Sequence, residues 1–289
     1  MHKIGAHVST SGGYTNCFKK IKEMGGNCFQ CFSSPPRGWG ISSPSEETVQ
    51  EFLKTKQEYQ IDPIYFHATY LINLADNDRI GASSVKNLTE ELQLASKLHV
   101  KGSIIHAGSF KDKMENLHSF KTHEKYSVLL TNIQNVLSAI PKDVSFIIEN
   151  AGTRKIGRTI DEIGQIIKDL QSPQVKVCLD TCHLHASGYD LSTTEKLNEF
   201  LEKFDDIVGI KNLELFHIND SRDTFDSFRD RHDNLGKGLI GLSVFENVIN
   251  HKQLQHIPFI LEVPGMAGEG PDKENIDILK GLITNVNSK

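Results

Sequence analysis

The sequence predicts an α/β fold, a TIM (β/α)8 barrel in which each of eight parallel strands is followed by a helix. Two observations support this prediction. Eight short β-rich runs alternate with amphipathic stretches along the chain, as in a succession of β/α units. Most of these runs are almost continuously apolar, which is typical of parallel strands buried on both faces. An open doubly wound sheet is the alternative, but no glycine-rich phosphate loop follows the first run.

Each strand candidate is a run of β-branched, aromatic or aliphatic residues between turn-forming segments. The eight candidates are residues 3–9, 27–33, 63–69, 102–108, 144–150, 175–181, 213–219 and 258–264.

The stretches between them have the periodicity of helices. In residues 83–100 apolar side chains recur every three or four positions, and Ser83 or Ser84 is the expected N-cap. Thr159 followed by Glu162 fits a capping box at the start of a later helix.

Length and composition indicate a globular protein. The chain has 289 residues, and barrels of this class commonly form one domain of about 250 residues, so residues 1–289 are expected to be a single domain. No apolar run approaches the roughly 20 residues that span a bilayer, and the N-terminal residues lack the features of a signal peptide. We therefore expect a cytoplasmic protein with no membrane association. The five cysteines suggest no disulfide framework. Cys28 and Cys31 are three apart on a predicted strand, so core packing is expected of them.

Polar residues stand at the ends of six strands, from the third strand onward. A single histidine or acid in such a place is often structural, but buried charges are costly unless paired or bound to metal. Because the carboxyl ends of barrel strands meet at one face, six such groups on six strands favour a metal or catalytic site. The six residues are His67, His106, Glu149, Asp180, His217 and Glu262.

Three further residues are candidate ligands. His183 lies three residues beyond Asp180, and Asp230 and His232 are two apart in a long charged loop, so in an extended loop both point to one side. Nitrogen and oxygen donors without thiolate suit zinc, with manganese or iron as alternatives. Catalytic zinc takes about three protein ligands, so nine candidates would serve three ions, or fewer if carboxylates bridge.

The charge of the chain bears on its substrate. A formal charge of −5 argues against a nucleic-acid binder, but three divalent ions would change it to +1 and make the site attractive to an anion. Clustered divalent ions are typical of phosphoryl chemistry, in which one ionises a water and others stabilise the attacking and leaving oxygens.

The same residues carry a resemblance to a known family. The chain resembles endonuclease IV, the zinc-dependent apurinic/apyrimidinic endonuclease family (AP endonuclease family 2) of base-excision repair, over essentially its whole length. The matching motifs are "IGAHVS", "HATYLINLA", "IIHAGS", "IIENAG", "CLDTCHLHASGYD", "FHINDSRDTFDSFRDRHDNLGKG" and "ILEVPG".

The resemblance implies a xylose-isomerase-like TIM barrel with three zinc ions. One zinc would be held by His67, His106 and a bridging Glu149, and the second by Glu149, Asp180, His217 and Glu262. The third would be held by His183, Asp230 and His232.

The implied enzyme is a deoxyribonuclease IV acting as a monomer on double-stranded DNA that contains abasic sites. It would hydrolyse the phosphodiester 5′ to the abasic site through a zinc-activated hydroxide oriented by Glu149 and leave a 3′-hydroxyl. It would also trim blocked 3′ ends.

The resemblance further implies that Arg37, Tyr70 and Leu71 insert into the DNA where the abasic nucleotide is flipped out. Gly38 stands where the family commonly has a polar side chain, so no base contact is assigned to it. A basic segment, residues 154–158, either meets phosphates or is a solvated loop. His7 is a structural candidate outside the ligand set.

Two other readings remain open at this stage. A metal-dependent sugar isomerase or epimerase on the same barrel would use Glu149, Asp180, His217 and Glu262 around one or two metals, and would leave the other five candidate ligands without a role. A non-catalytic DNA-damage or metal-binding protein is the second alternative.

Overall fold

The strands close into a parallel barrel, as the sequence predicts. The structure, a computed structural model, describes residues 2–41, 43–112 and 116–284. The order of strands around the barrel is β1-β10-β7-β6-β5-β4-β3-β2, with β1 also paired to β2. All eight predicted strands are confirmed, each somewhat shorter than predicted. Their bounds are β1 Ile4–His7, β2 Cys28–Phe32, β3 Ile64–His67, β4 Gly102–Ile105, β5 Ser145–Glu149, β6 Val175–Asp180, β7 Leu213–His217 and β10 Phe259–Leu261.

Helices cover the outside of the barrel between the strands. Within the described residues the α-helices are α1 Asn16–Met24, α2 Glu46–Tyr59, α3 Arg79–Lys97, α4 Leu117–Thr122, α5 Tyr126–Ala139, α6 Ile160–Leu170, α7 Thr181–Ala186, α8 Thr194–Ile207, α9 Leu242–Asn250 and α10 Lys273–Gly281. Short 3₁₀ helices occupy Ile210–Asn212 and Lys252–Leu254. No helix of the described part of the chain is long and apolar enough to cross a membrane.

The predicted start of α3 is wrong. The helix begins at Arg79, because the Asp76 carboxylate accepts the backbone N–H of Asp78 at 3.0 Å and of Gly81 at 3.2 Å and so satisfies donors that a helix start leaves free. Ser84 is instead buried inside the helix and donates to the Ile80 carbonyl.

At α6 the expected N-cap, Thr159, is confirmed, but the Glu162 side chain binds other backbone groups than the capping box predicts. The Thr159 hydroxyl accepts from the N–H of Glu162. The Glu162 carboxylate accepts from the N–H groups of Gly157 and Arg158, both at 3.0 Å, and thereby fixes the loop that leads from β5.

The long charged loop after β7 contains a small ribbon that the sequence did not reveal. Strands β8 (Asp220–Ser221) and β9 (His232–Asp233) pair antiparallel, with Ser221 opposite His232. The ribbon folds the loop back toward the carboxyl ends of the barrel strands. All five cysteines are free and buried, which confirms the packing role expected of Cys28 and Cys31.

Candidate metal centre

The nine candidate ligands meet at the carboxyl end of the barrel, because most of them end a strand. His67, Glu149, Asp180 and His217 are the last residues of their strands, and Asp180 lies directly opposite His217 in the register of β6 and β7. Two more follow their strands by one position, and the remaining three come from α7 and from the loop closed by β8 and β9. Their donor atoms form three groups, of which the first two share Glu149, and within each group the donor atoms lie within 4.8 Å of one another.

The first group is His67, His106 and Glu149. The Nε2 atoms of His67 and His106 lie 3.3 Å and 3.2 Å from Oε2 of Glu149. His67 and Glu149 are buried. Two imidazole nitrogens and one carboxylate oxygen therefore face a common point.

The second group is Glu149, Asp180, His217 and Glu262. Nδ1 of His217 lies 3.0 Å from Oε1 of Glu149, 3.2 Å from Oε2 of Glu262 and 3.8 Å from Oδ2 of Asp180. Glu149 directs its other oxygen to the first group, so it alone belongs to both, which is the arrangement required of a bridging carboxylate.

The third group is His183, Asp230 and His232. Oδ1 of Asp230 lies 3.0 Å from Nε2 of His183 and 3.3 Å from Nε2 of His232. Next to it in the loop, Arg231 makes a two-point ion pair with Asp223, at 2.7 Å and 2.5 Å. This pair holds the loop so that Asp230 and His232 converge on His183.

Hydrogen bonds from the far side of the rings decide which nitrogen is available. His67 donates Nδ1–H to the Ala68 carbonyl at 2.9 Å, and His183 donates Nδ1–H to the Asn150 carbonyl at 2.8 Å. His217 donates Nε2–H to Oε1 of Gln30 at 2.7 Å. In each ring the far nitrogen is engaged as a donor, so the nitrogen that faces the acids is the one that can bind a metal once it carries no proton.

Sequence reasoning missed three buried amides that position the ligands. Gln30 accepts from His217 and donates to Oε1 of Glu262 and to Nδ1 of His7. Asn150 accepts the N–H of Asp180 at 2.6 Å, and Asn219 donates to Oδ2 of Asp180, also at 2.6 Å.

The sequence did carry signals for these amides. A lone glutamine interrupts the apolar strand "NCFQCF", and the two asparagines follow ligands in "IIEN" and "FHIN". His7, a structural candidate outside the ligand set, contacts the centre through Gln30, through Glu262, whose Oε1 lies 3.6 Å from its Nδ1, and through the ring of His67 at 6.3 Å.

The electrostatics of the centre call for positive charge. Burial would raise the pKa of the Glu149 carboxyl, but His106, His217 and His67 lower it well below its usual range. Burial opposes protonation of His67 and His232 as well, yet the acids around each of them raise its pKa to about 9. Burial, aided by nearby His183, His67 and Lys155, lowers the pKa of His106 to about 4. Ionised acids thus hold protons on two of these histidines, and divalent cations would supply the same compensation.

The residues present fit metal ions. The Nε2 atoms of His183 and His232 are buried, and although Asp230 lies 3.0 Å and 3.3 Å away, neither atom makes a hydrogen bond of good geometry, which is costly unless a ligand completes them. Cys178 and Cys182 each lie within reach of one of these groups, but burial raises the pKa of both thiols and so disfavours the thiolate, and the nine candidate ligands offer only nitrogen and oxygen. Such a set suits zinc, manganese or iron.

The three predicted DNA-contacting residues lie beside this centre. Tyr70 is 63 % exposed, and its ring lies 6.0 Å from that of His67. Its N–H donates to the Pro36 carbonyl at 3.1 Å, which ties it to the loop that bears the exposed Arg37. Leu71 is half-buried. The three residues therefore lie on one side of the opening to the candidate metal centre, and we call this side the rim.

Comparisons with known proteins show the family and the fold. The family model described as "Xylose isomerase-like TIM barrel" matches residues 18–282. "Probable endonuclease 4" of Sulfurihydrogenibium sp. is 34 % identical over 288 residues, covering 98 % of this chain and all of the relative.

Solved structures give the same picture. The crystal structure of endonuclease IV from Thermus thermophilus superposes with a TM-score of 0.83 at 26 % identity, covering 97 % of this chain and 98 % of that one. A D-tagatose 3-epimerase-like protein, at 21 % identity and a TM-score of 0.68, covers 96 % of each chain and shares the fold. Strand-end ligands, fold and full-length identity together lead to one assignment: this chain belongs to the endonuclease IV family of xylose isomerase-like TIM barrels.

Proposed function

We propose that this protein is a deoxyribonuclease that hydrolyses the DNA phosphodiester 5′ to an abasic site, leaves a 3′-hydroxyl and also trims blocked 3′ ends. The observation that carries the proposal is the sharing of Glu149 between two ligand groups with a third group beside them. We infer that the three groups hold three zinc ions, with manganese or iron as alternatives.

The extra ligands favour this reaction over that of a sugar isomerase. An isomerase on this barrel needs the second group, which leaves His67, His106, His183, Asp230 and His232 unexplained. All five of these side chains lie in the first or third group. A phosphodiester hydrolase uses several cations, since charge develops on both the attacking and the leaving oxygen.

The protein and its ions would divide the chemistry. Bound divalent ions supply Lewis-acid stabilisation of the phosphoryl oxygens and make water a nucleophile at neutral pH. The chain contributes orientation: Gln30, Asn150 and the Ala68 carbonyl fix the ligand rings, and Glu149 fixes the spacing of the first two groups. Preorganised charge of this kind acts without reorganisation during the reaction.

Substrate selection would come from the rim. An abasic nucleotide lacks stacking and is extruded at lower cost than a normal one. The exposed ring of Tyr70, with Leu71 and Arg37, would fill the space it leaves. We propose that the protein acts on duplex DNA as a monomer, as a single domain and in the cytoplasm.

Cleavage of a defined duplex tests the proposal. A labelled duplex with one tetrahydrofuran abasic analogue, incubated with zinc-loaded protein, should be cut on the 5′ side of the analogue, and prolonged chelation should abolish the cut. Glu149→Gln should abolish it as well. Glu214→Gln is the matched control, because this strand β7 acid accepts a hydrogen bond from Tyr65 at 2.9 Å and lies outside the centre. An intact duplex with a zinc-loaded, folded wild-type protein would refute the assignment.

A further inference from the structure

A second polar site adjoins the metal centre. A cavity of about 230 Å³ lies between the loop after β5 and the loop after β7. Apolar side chains of Phe110, Phe120 and Ile156 line it together with Arg154 and Arg158. Nothing in the metal chemistry uses these arginines.

One aromatic ring organises both arginines. The guanidinium carbons of Arg154 and Arg158 lie 5.5 Å and 5.2 Å from the centre of the Phe228 ring, within the range of cation–π contacts. Stacking of this kind leaves the N–H groups at the edge of each guanidinium free to donate.

The backbone of Phe228 is held in an unfavourable conformation. Its φ is +55°, in the left-handed region that bulky side chains rarely adopt. Its N–H donates to the Ala186 carbonyl of α7 at 3.0 Å. Helix α7 also bears His183, and Asp230 follows Phe228 by two residues. Strain that the surroundings enforce is often found at functional sites, and here it presents the ring to both arginines.

The nearby acids are already engaged. The Glu162 carboxylate accepts the N–H groups of Gly157 and Arg158, and the Asp112 carboxylate lies 3.0 Å from Nε2 of His123. Among residues 2–41, 43–112 and 116–284, neither Arg154 nor Arg158 has an acidic partner within ion-pair distance. The charge of Glu162 still acts on Arg158, but the cavity is lined by three cations, Arg154, Lys155 and Arg158, against two acids, Asp112 and Glu162. Two guanidinium groups without a direct ion pair at the edge of one cavity can bind a tetrahedral anion.

We propose that Arg154, Arg158 and Phe228 form a binding site for a DNA backbone phosphate other than the scissile one. The site opens between the loops that follow Glu149 and precede Asp230, so a strand seated at the metal centre would pass over it. Arg154 and Arg158 would bind the phosphate, and Phe228 would be a positioning residue. The inference rests on the proposed nuclease function.

Salt-dependent binding to an undamaged duplex tests it, since phosphate contacts carry no base information and the duplex is not a substrate. With zinc-loaded protein, Arg154→Ala/Arg158→Ala should lower the slope of log Kd against log salt by about 0.9, the value for one phosphate contact. That corresponds to roughly eightfold weaker binding at 0.1 M salt. Lys97→Ala/Lys101→Ala removes two exposed charges at the opposite end of the barrel and should leave the slope unchanged.

Two further variants separate charge from geometry. Phe228→Leu keeps every charge, so we expect the slope to be retained while affinity falls about two- to fivefold with the lost cation–π contacts. Arg158→Lys should likewise keep the slope and lose affinity, because lysine cannot stack and donate as a planar fork.

Three outcomes would overturn the inference. The first is equal slopes for the arginine double variant and the wild type. The second is an equal loss in the lysine control. The third is saturable binding of inorganic phosphate that needs the arginines while duplex binding does not, which would assign the cavity to a small free anion.

If the wild type bound and cleaved abasic duplex yet the slopes coincided, only the phosphate site would fail. If it did not cleave, the nuclease assignment would fail first.

Discussion

Replacement of Gln30 by methionine should weaken metal binding at the second ligand group far more than it weakens the fold. Gln30 lies on β2 opposite His7 and is buried, as is His217. Its amide accepts from Nε2 of His217 at 2.7 Å and donates to the Glu262 carboxylate. Methionine keeps the volume of the side chain and removes these two contacts together with the hydrogen bond to Nδ1 of His7.

The expected magnitude follows from these contacts. Loss of the acceptor leaves a buried N–H of His217 without a partner, which costs about 1–3 kcal/mol. The ring is then free to turn, and Nδ1 is no longer fixed as the nitrogen that faces the acids. Removal of such an outer contact typically lowers metal affinity about 10- to 100-fold.

A matched variant separates the two effects. Gln174 is also a buried glutamine, and its amide donates to the Pro141 and Val144 carbonyls at 2.8 Å and 3.1 Å. It lies just before β6, at the opposite end of the barrel from the ligands. Gln174→Met should therefore destabilise the chelated protein by a similar amount and leave its metal affinity unchanged.

The assay is competition for zinc against a chromophoric chelator, combined with urea unfolding of the metal-free proteins. We expect Gln30→Met to release one class of zinc at a chelator concentration at which the wild type and Gln174→Met retain it. Equal zinc affinity in the two variants, with equal loss of unfolding free energy, would show that Gln30 only packs the barrel and would refute the reasoning.

Three further outcomes are expected. Tyr70→Ala should weaken binding to abasic duplex several-fold more than binding to undamaged duplex in an anisotropy titration, and an equal loss on both would contradict a wedge role. Asp223→Asn removes the partner of Arg231, so zinc at the third group should dissociate first in a stepwise chelation, whereas unchanged release would show that the loop is held otherwise. Burial raises the pKa of Glu91 to about 7 despite hydrogen bonds from Ser103 and Ser33. The folded state therefore loses stability as pH rises from about 4.5 to 7, and Glu91→Gln should remove about 3 kcal/mol of that loss in urea unfolding of chelated protein; parallel pH curves would contradict this.

The sequence was sufficient to predict which candidate ligands lie together, because in a barrel the position of a residue along its strand determines the end of the barrel at which it lies. A residue at the end of a parallel strand must lie at the carboxyl face, whatever the lengths of the intervening helices. His67 and Glu262 are 195 positions apart, and each was found by this rule alone. Elements that depend on local competition were harder to predict. Helix α3 starts at Arg79 instead of Ser83 or Ser84, because Asp76 supplies the capping oxygen. The periodicity of apolar residues does not indicate which side chain will cap the helix.

Side-chain partners across the barrel lay beyond the sequence for a different reason. Gln30 reaches His217 over 187 positions, and this contact depends on the stagger between strands and on a rotamer. The arginine site depends on the left-handed backbone of Phe228, which no residue preference predicts, since phenylalanine is among the residues least suited to that conformation.

The three ligand groups of the candidate metal centre differ in rigidity, because two are built on strand ends and one depends on a loop. The first two groups consist of residues at or one position beyond the ends of strands, so barrel hydrogen bonds fix their spacing. In the third group only His183 lies on a short helix, and Asp230 and His232 depend on the Arg231–Asp223 pair, the two-residue ribbon and the loop's bonds to α7. Fewer constraints hold this group, so its geometry is the least costly to distort.

The loop that supplies it also carries Phe228, and a phosphate bound by Arg154 and Arg158 would stabilise the conformation that brings Asp230 toward His183. DNA binding and occupancy of the third group should therefore favour each other, since coupling between two sites is reciprocal.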